Sequence, residues 1–417
     1  LNDKYEQAAV AIAYDSRINS ALFAEESAGV LAANGIKAYI FPDIVPTPML
    51  SFAVRRLGCR SGIIITASHN PSKYNGYKCY DPEGYQMTDE AAQKTYEYIQ
   101  KTDIFQGVKR MGFEEGIAAG IIARIEPWLN EEYYQNILAQ RVNPGACRAC
   151  ELKLIYTPLN GTGNIPVREI FTRMGLKNVA VVPEQEHPDG NFPTCPFPNP
   201  EIKQAFEYAL KLAEKNGADL LLATDPDCDR VGIAVFDKGE YKLLTGNEVG
   251  ALLTEYILSS KTANGTLPAN PLIIKSFVTT DLVLAIAAKY GCEVVDLLTG
   301  FKYIGEYITN LERINEQNRF ILAMEESYGY LAGTHARDKD AVVASMLICE
   351  MAAFYKAQGR TLVQVMEDIY IEHGRYLNTV LNFSFEGESG MIKMQQIMGD
   401  LRAQAPLAIA GMPVLKI

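Results

Sequence analysis

The chain is 417 residues long, 48% apolar and 21% charged, with a formal net charge of −11 and a pI of about 5.1. That length exceeds one ordinary domain and predicts about two to four. So acidic a surface argues against nucleic acid and anionic membranes as general partners, and it obliges any anionic ligand to find a local positive pocket. No apolar run reaches the length of a membrane span and the first residues carry no basic-then-apolar signal pattern, so a soluble cytoplasmic protein is expected.

In chain order, AVAIAYDSR (9–17) predicts a strand running into a polar turn, SALFAEESAGVLAANG (20–35) a helix with a glycine stop, and IKAYIF (36–41) a second strand. SGIIIT (61–66) is a further strand that opens into ASHNP, and GYKCYDPEGYQM (76–87) reads as a hairpin. NPGACRAC (143–150) closes this unit near residue 148. Cys147 and Cys150 form one CxxC there, but no second pair or nearby histidine completes a zinc site. The other cysteines (Cys59, Cys79, Cys195, Cys228, Cys292 and Cys349) stand singly in stretches that suit reduced thiols. The order strand, helix, strand returns at 152–182 and again at 271–298, a weak internal repeat. Each repeat is followed by an apolar strand that runs straight into a polar cluster: SGIIIT into ASHNP, ADLLLAT into DPDCDR, RFILAM into EESYGY. HPDGNFPTCPFPNPEI (187–202) is a long structured loop by its Pro, Asn and Gly content, and SSKTANGTLPAN (259–270) a linker. The expected architecture is α/β: three consecutive similar domains with mixed, mostly parallel sheets around a central cleft. Their spans are 1–148, 149–265 and 266–375. The remainder, 376–417, should hold a strand, a helix over MIKMQQIMGDLRAQ and another strand. Ligands collect outside the carboxyl ends of strands in such sheets, so three ends in register favour one shared site.

Each cluster has a chemical and a plain reading. Ser68 sits at a strand end before the Asn70-Pro71 turn, with His69 beside it and Lys78 on the hairpin. A serine needs such help to act as a nucleophile, although alone the hexapeptide is equally a capped turn, and residues adjacent on a strand face opposite ways. Asp225, Asp227 and Asp229 alternate, which in an extended loop puts three carboxylates on one face. They suit a hard divalent cation such as Mg²⁺, the alternative being a solvated acidic turn, and Arg230 offers a planar fork for phosphate oxygens. Glu325 and Ser327 offer acceptors for vicinal sugar hydroxyls. Thr299, Gly300 and Lys302 form a strand-to-helix junction able to hold an anion, and His335, Arg337 and Lys339 add positive charge, unless HARDKD is only a charged helix start.

Together these stretches resemble the α-D-phosphohexomutases, the phosphoglucomutases and phosphomannomutases among them, nearly end to end and in the family's order. TASHNP resembles the phosphoserine loop, DPDCDR the metal loop, EESYGY the sugar loop, and TGFKYIG and HARDKD the remaining substrate loops. YDSR matches an early arginine, here Arg17, that approaches the phosphoserine. The resemblance implies that Ser68 carries phosphate and that Mg²⁺ is held by Ser68, Asp225, Asp227 and Asp229. It further implies that a sugar 1-phosphate, glucose first, becomes a 6-phosphate through a bisphosphate such as glucose 1,6-bisphosphate. Mannose, pentose and bisphosphate-synthase variants of this reaction, or a non-catalytic sugar-phosphate binder, are the alternatives. By the same match Lys78, Lys339 and His69 are candidates for proton transfer. The expected partner is a small-molecule sugar phosphate, and the expected state a monomer or homodimer. Two departures stand out: no Gly- and Arg-containing loop precedes the first strand, and no R-x-S-G-T-E run appears before PVLKI. The expectation is therefore a truncated fourth domain at 376–417 and weakened turnover.

Overall fold

The computed structural model describes residues 8–379, 383, 385 and 387–414. Its first sheet is built on β1 (Ala9–Tyr14), whose interior residues are buried on both faces, so a continuous apolar run rather than an alternating one encodes it. β1 pairs in parallel with β2 (Lys37–Ile40) and β3 (Ser61–Ile65); β4 (Tyr77–Tyr80) runs antiparallel to β3, and β5 (Ile122–Arg124) parallel to β2, giving the order β4-β3-β1-β2-β5. The second sheet comprises β6 (Lys153–Thr157), β7 (Asn178–Val181), β8 (Leu220–Thr224), β9 (Val231–Asp237) and β10 (Glu240–Leu244), in the order β10-β9-β8-β6-β7. The third comprises β11 (Leu272–Ser276), β12 (Glu293–Leu297), β13 (Phe320–Glu325) and β14 (Gly329–Leu331), in the order β12-β11-β13-β14. These are three consecutive α/β domains with mixed, mostly parallel sheets.

One construction recurs in all three. A parallel strand (β3, β8 or β13) reverses into an antiparallel neighbour (β4, β9 or β14), and the reversal is the polar cluster seen in the sequence. Each reversal holds one non-glycine residue in the left-handed region: Ser68 at φ 52°, Cys228 at φ 51° and Tyr328 at φ 65°. Such backbone costs roughly 1–3 kcal/mol per residue and persists only where the surroundings over-determine it.

The surroundings are a shared core. The helix Ala341–Lys356 is buried along nearly its whole length, and the cluster around it joins side chains from all three domains, among them Phe52, Tyr133, Phe171, Leu252, Met324 and Leu347. Asp340 caps this helix by accepting the N–H groups of Val342 and Val343 at 2.9 and 3.0 Å. Residues up to Tyr376 form one unit and Leu377 onward a second. The second unit contains the helix Gly387–Ala403 and a hairpin of β15 (Ala408–Ile409) and β16 (Met412–Pro413). The strand expected before that helix falls partly on 380–382, 384 and 386, outside the described residues. Among the described residues no helix is long and apolar enough to cross a membrane.

Glu350 fastens the connection between the first two domains to the central helix. Its Oε1 accepts the N–H groups of Val142 and Asn143 at 2.8 and 3.0 Å and the Tyr256 hydroxyl at 2.9 Å. Glu350→Leu strands three buried donors and should destabilise the unit by about 2–4 kcal/mol, with Glu350→Gln losing less than half of that. Urea unfolding followed by fluorescence of Trp128, the single tryptophan, measures both. Equal stability of the Leu variant and the parent would refute this role.

Candidate active site

Ser68 leaves β3 in a left-handed conformation that no strand has, and its N–H donates to Thr66 Oγ1 at 2.9 Å. His69 therefore does not face the other way from Ser68: its Nδ1 lies 3.3 Å from Ser68 Oγ. Burial, and then Arg230, push the His69 imidazole down to about 4, so at neutral pH it is uncharged. Arg17 is buried behind the loop. Its guanidinium donates to the carbonyls of Ser68 and Asn70 at 2.5 Å, Tyr74 at 2.9 Å and Pro71 at 3.0 Å, while its Nε faces Asp15 at 3.2 Å. The structure thus gives Arg17 to the main chain of the serine loop and not to a ligand, because a buried five-donor fork closes most easily on clustered carbonyls.

Across from Ser68, Asp225, Asp227 and Asp229 bring one carboxylate oxygen each within 4.8 Å of one another. The convergence is real but its cause differs from the extended loop expected. The chain turns tightly: Cys228 N–H donates to Asp225 O at 2.9 Å, and Asp225 Oδ1 accepts the N–H groups of Asp229 and Arg230 at 3.1 and 3.0 Å. Cys228 points into the core beside Tyr133 and Tyr156. Ser68 Oγ donates to Asp225 Oδ2 at 3.1 Å, joining the first cluster to the second. Asp227 Oδ2 accepts from Lys78 Nζ and from Thr47 Oγ1, both at 3.0 Å, and Asp229 Oδ2 faces Lys339 Nζ at 3.1 Å.

The electrostatics of this centre are unbalanced. Burial, then Asp227 and Asp229, drive the Asp225 carboxyl well up. Burial acts most strongly on Asp227 too, but Lys78, Asp225 and Lys339 together outweigh it and hold that carboxylate low. Asp227 Oδ1 and Asp229 Oδ1 are buried without a hydrogen-bond partner. Oxygen-only donors with buried, unpartnered lone pairs fit a hard divalent cation, and Mg²⁺ suits carboxylates supplemented by a phosphate oxygen. Arg230 sends Nη1 to Glu201 at 2.6 Å, while its Nε lies 3.8 Å from Asp229 Oδ1.

The third cluster supplies the far wall. Lys339 Nζ sits 3.1 Å from both Asp229 and Asp338, its stem lying over Gly329, where a Cβ has no room. Burial pulls the Lys339 and Lys78 ammonium groups down, but the carboxylates around them outweigh it and raise both, so each holds its proton. Asp338 is fixed in turn by the Tyr80 hydroxyl at 2.5 Å and Gln86 at 3.1 Å. Glu325 ends β13 buried, raised by that burial, and accepts the Gly300 N–H at 2.8 Å; Ser327 lies in the reversal that follows. Thr299 is exposed beside Gly300, and Lys302 pairs with Asp89 at 2.5 Å.

Two basic candidates lie elsewhere. His335 Nε2 is 2.8 Å from the capping Asp340, edge-on to Tyr133. Arg337 is fully buried, bonded to Thr309, Thr334 O, Ala336 O and Glu312, and burial pulls it down to about 10. His335 secures the cap of the central helix and Arg337 ties the segment to the helix Phe301–Arg313, so HARDKD is in part the charged helix start of its plain reading. The sequence missed Thr47, Glu201 and Asp338. Thr47 had one faint signal, a polar residue between Pro46 and Pro48 just after a strand.

The descriptions phosphoglucomutase/phosphomannomutase α/β/α domain I, domain II and domain III match residues 1–105, 131–239 and 245–373 in that order. The chain belongs to the phosphoglucomutase/phosphomannomutase family. It is 37% identical over 418 residues to phosphoglucomutase of Staphylococcus saprophyticus, covering all of this chain and 74% of that protein. It shares its fold with a phosphoglucomutase/phosphomannomutase family protein of Burkholderia thailandensis (TM-score 0.69, 20% identity, 98% of this chain and 78% of that one). An Aspergillus fumigatus N-acetylphosphoglucosamine mutase in complex with GlcNAc-6P and magnesium shares it more distantly (TM-score 0.51, 16% identity, 82% and 76%). The chain is accordingly a mutase of the phosphoglucomutase/phosphomannomutase type, an isomerase of hexose phosphates in carbohydrate metabolism.

Mg²⁺ should raise the melting temperature of this mutase. Asp227→Asn should abolish that response. Thr47→Val, which removes an outer partner of Asp227, should move its half-saturation about tenfold higher. A thermal-shift titration with MgCl₂ checks both, and an unchanged midpoint for the Val variant would remove Thr47 from the site.

Proposed function

We infer that this chain interconverts a hexose 1-phosphate and the corresponding 6-phosphate, glucose being the sugar its similarity to phosphoglucomutases favours. In this reading Ser68 carries a phosphoryl group between turnovers. The sugar 6-hydroxyl attacks it and gives up its proton, the phosphorus–Oγ bond breaks with Oγ taking a proton, and a 1,6-bisphosphate forms. The bisphosphate then turns over without leaving, Ser68 Oγ gives up its proton and attacks the phosphorus at position 1, the bond from that phosphorus to O1 breaks, and O1 takes a proton, leaving the 6-phosphate. The observation that carries the reading is Ser68 Oγ aimed at the aspartate trio, 3.1 Å from Asp225 Oδ2.

Asp225, Asp227 and Asp229, with the phosphate on Ser68, would hold Mg²⁺, which supplies neutralisation of charge on the transferring group. The protein's own groups do the rest. Arg17 holds the serine loop through its carbonyls, so Ser68 does not have to be ordered at the moment of transfer. Lys78 and Lys339 keep their protons on Nζ and stand ready to give one to a departing oxygen or to balance phosphoryl charge; neutral His69 can take one at Nδ1, beside Ser68 Oγ. Glu325 and Ser327 would accept from sugar hydroxyls, Gly300, Thr299 and Lys302 would address the phosphate that is not moving, and Arg230, beside Asp229, would help cancel charge on the phosphoryl group in transfer.

Intact mass spectrometry should show one added phosphate on the wild-type chain, and none on Ser68→Ala. The Ala variant should lose at least 10³-fold in glucose 1-phosphate turnover, since the covalent carrier itself is gone. Parallel rates with mannose 1-phosphate and ribose 1-phosphate rank the sugar. Phosphate retained on the Ala variant, or full turnover without it, would end the reading.

A further inference from the structure

The chemistry above leaves the long loop at 187–202 unused, and its side chains reach the serine and metal loops at three places. The Phe192 ring lies 5.0 Å from the Arg17 guanidinium, the clamp on the serine loop. Phe197 meets the His69 ring edge-on with centroids 5.6 Å apart. Glu201 pairs with Arg230 at 2.6 Å. The loop is stiff for reasons visible in its sequence. Pro188, Pro193, Pro196, Pro198 and Pro200 fix five φ angles, so its contacts are made by an already ordered segment. Asn160 Nδ2 holds the carbonyl of His187 at 2.8 Å, Asn199 Oδ1 accepts the Glu201 N–H at 3.0 Å, and Gly232 lets the Pro200 carbonyl lie directly against its Cα, where any Cβ would collide.

The Glu201–Arg230 pair has a consequence for the metal loop. Arg230 follows Asp229 directly, and its unbonded Nε already stands 3.8 Å from Asp229 Oδ1. A guanidinium freed from Glu201 has that carboxylate, itself a proposed cation ligand with an unpartnered oxygen, as its nearest anion. Arginine has no low-energy neutral form to retreat to. It would fold onto the trio and compete with the cation.

We propose that Glu201 is a positioning residue which holds the Arg230 guanidinium away from Asp225, Asp227 and Asp229, keeping those carboxylates open to Mg²⁺ and Arg230 open to a phosphate. This rests on the reading of the trio as the Mg²⁺ site, and it gives the loop 187–202 a task in the chemistry: it sets the resting place of the one arginine adjoining the metal ligands.

The test is a double-mutant cycle read by MgCl₂ thermal-shift titration and, in parallel, by kcat and KM with glucose 1-phosphate. Losing a charge-assisted pair of this kind is worth about 1.5–3 kcal/mol, or roughly tenfold to a hundredfold in an equilibrium constant. Glu201→Ala should therefore weaken Mg²⁺ by about tenfold or more and lower kcat more than it changes KM. In an Arg230→Gln background the same substitution should have almost no effect on Mg²⁺. Glu201→Asp, which keeps the charge but not the reach, should resemble Ala, and Glu201→Gln should recover part of the loss. Glu201→Asp also serves in place of the Ala variant should that one not fold. Equal weakening in both Arg230 backgrounds, or wild-type behaviour of Glu201→Asp, would mean that Glu201 acts only through its field and would overturn the proposal. Absence of phosphate on wild-type Ser68 would sink the phosphoserine reading while leaving the Mg²⁺ cycle fully readable, so the two fail separately.

Discussion

Everything in the centre of this molecule answers to three carboxylates buried within reach of each other. Two such charges about 4 Å apart repel by about 4 kcal/mol at the effective dielectric that describes protein interiors best. That is several times what an exposed ion pair contributes, so scattered surface lysines cannot balance the site and the compensation has to be local. It comes from two directions. Lys78 arrives on β4 of the first domain, and Lys339 just ahead of the central helix in the third, each within 3.1 Å of an aspartate of the second. The same electrostatic demand that makes the site costly thereby ties all three domains together at one point.

The demand is not fully met by the chain. Lys78 and Lys339 between them face Asp227, Asp229 and Asp338, neither reaches Asp225, and Arg230, paired with Glu201, stands 3.8 Å from Asp229. The shortfall shows as two buried carboxylate oxygens without a hydrogen-bond partner and as an Asp225 carboxyl driven upward. Left-handed backbone at Ser68, Cys228 and Tyr328 adds strain at the same place. Neither penalty would survive on an isolated loop. Each reversal is anchored by a strand buried in a core whose central helix serves all three domains, and that common anchorage lets one small region store both unbalanced charge and strained backbone.

This division explains what the sequence could disclose. The three reversals were legible because each couples a buried apolar strand to a polar run, a pattern of local chemistry. The convergence of the trio was legible but its geometry was not: alternation implied an extended face, whereas the chain turns on Asp225 Oδ1 and Cys228. Arg17, His335 and Arg337 show the limit of residue type as a guide. A positive side chain near a motif is evident in the sequence, but which carbonyls and carboxylates it meets is not: Arg17 meets the serine loop, Arg337 the helix Phe301–Arg313, and His335 the Asp340 cap five residues on. Glu201 and Asp338 were not legible, and Thr47 only faintly through its place between two prolines. Their partners stand 29, 258 and 180 residues away, and a single polar residue carries no periodicity to betray such a pairing.

The acidity of the chain now reads differently. A hexose phosphate is an anion approaching a body of net charge −11, and most cations near the centre are already engaged: Lys302 by Asp89, Arg17 by carbonyls, Arg337 by Glu312. Long-range attraction cannot draw the substrate in, because the field of the whole protein has the wrong sign. Recognition therefore depends on short-range charge, and that charge is conditional. Lys78, Lys339 and the Arg230 Nε face Asp227, Asp229 and Asp338, while Asp225 is driven towards its neutral form, so the centre has no surplus positive charge of its own to offer a phosphate. A divalent cation on the trio would supply that surplus, which makes cation before sugar phosphate the order this charge arrangement favours.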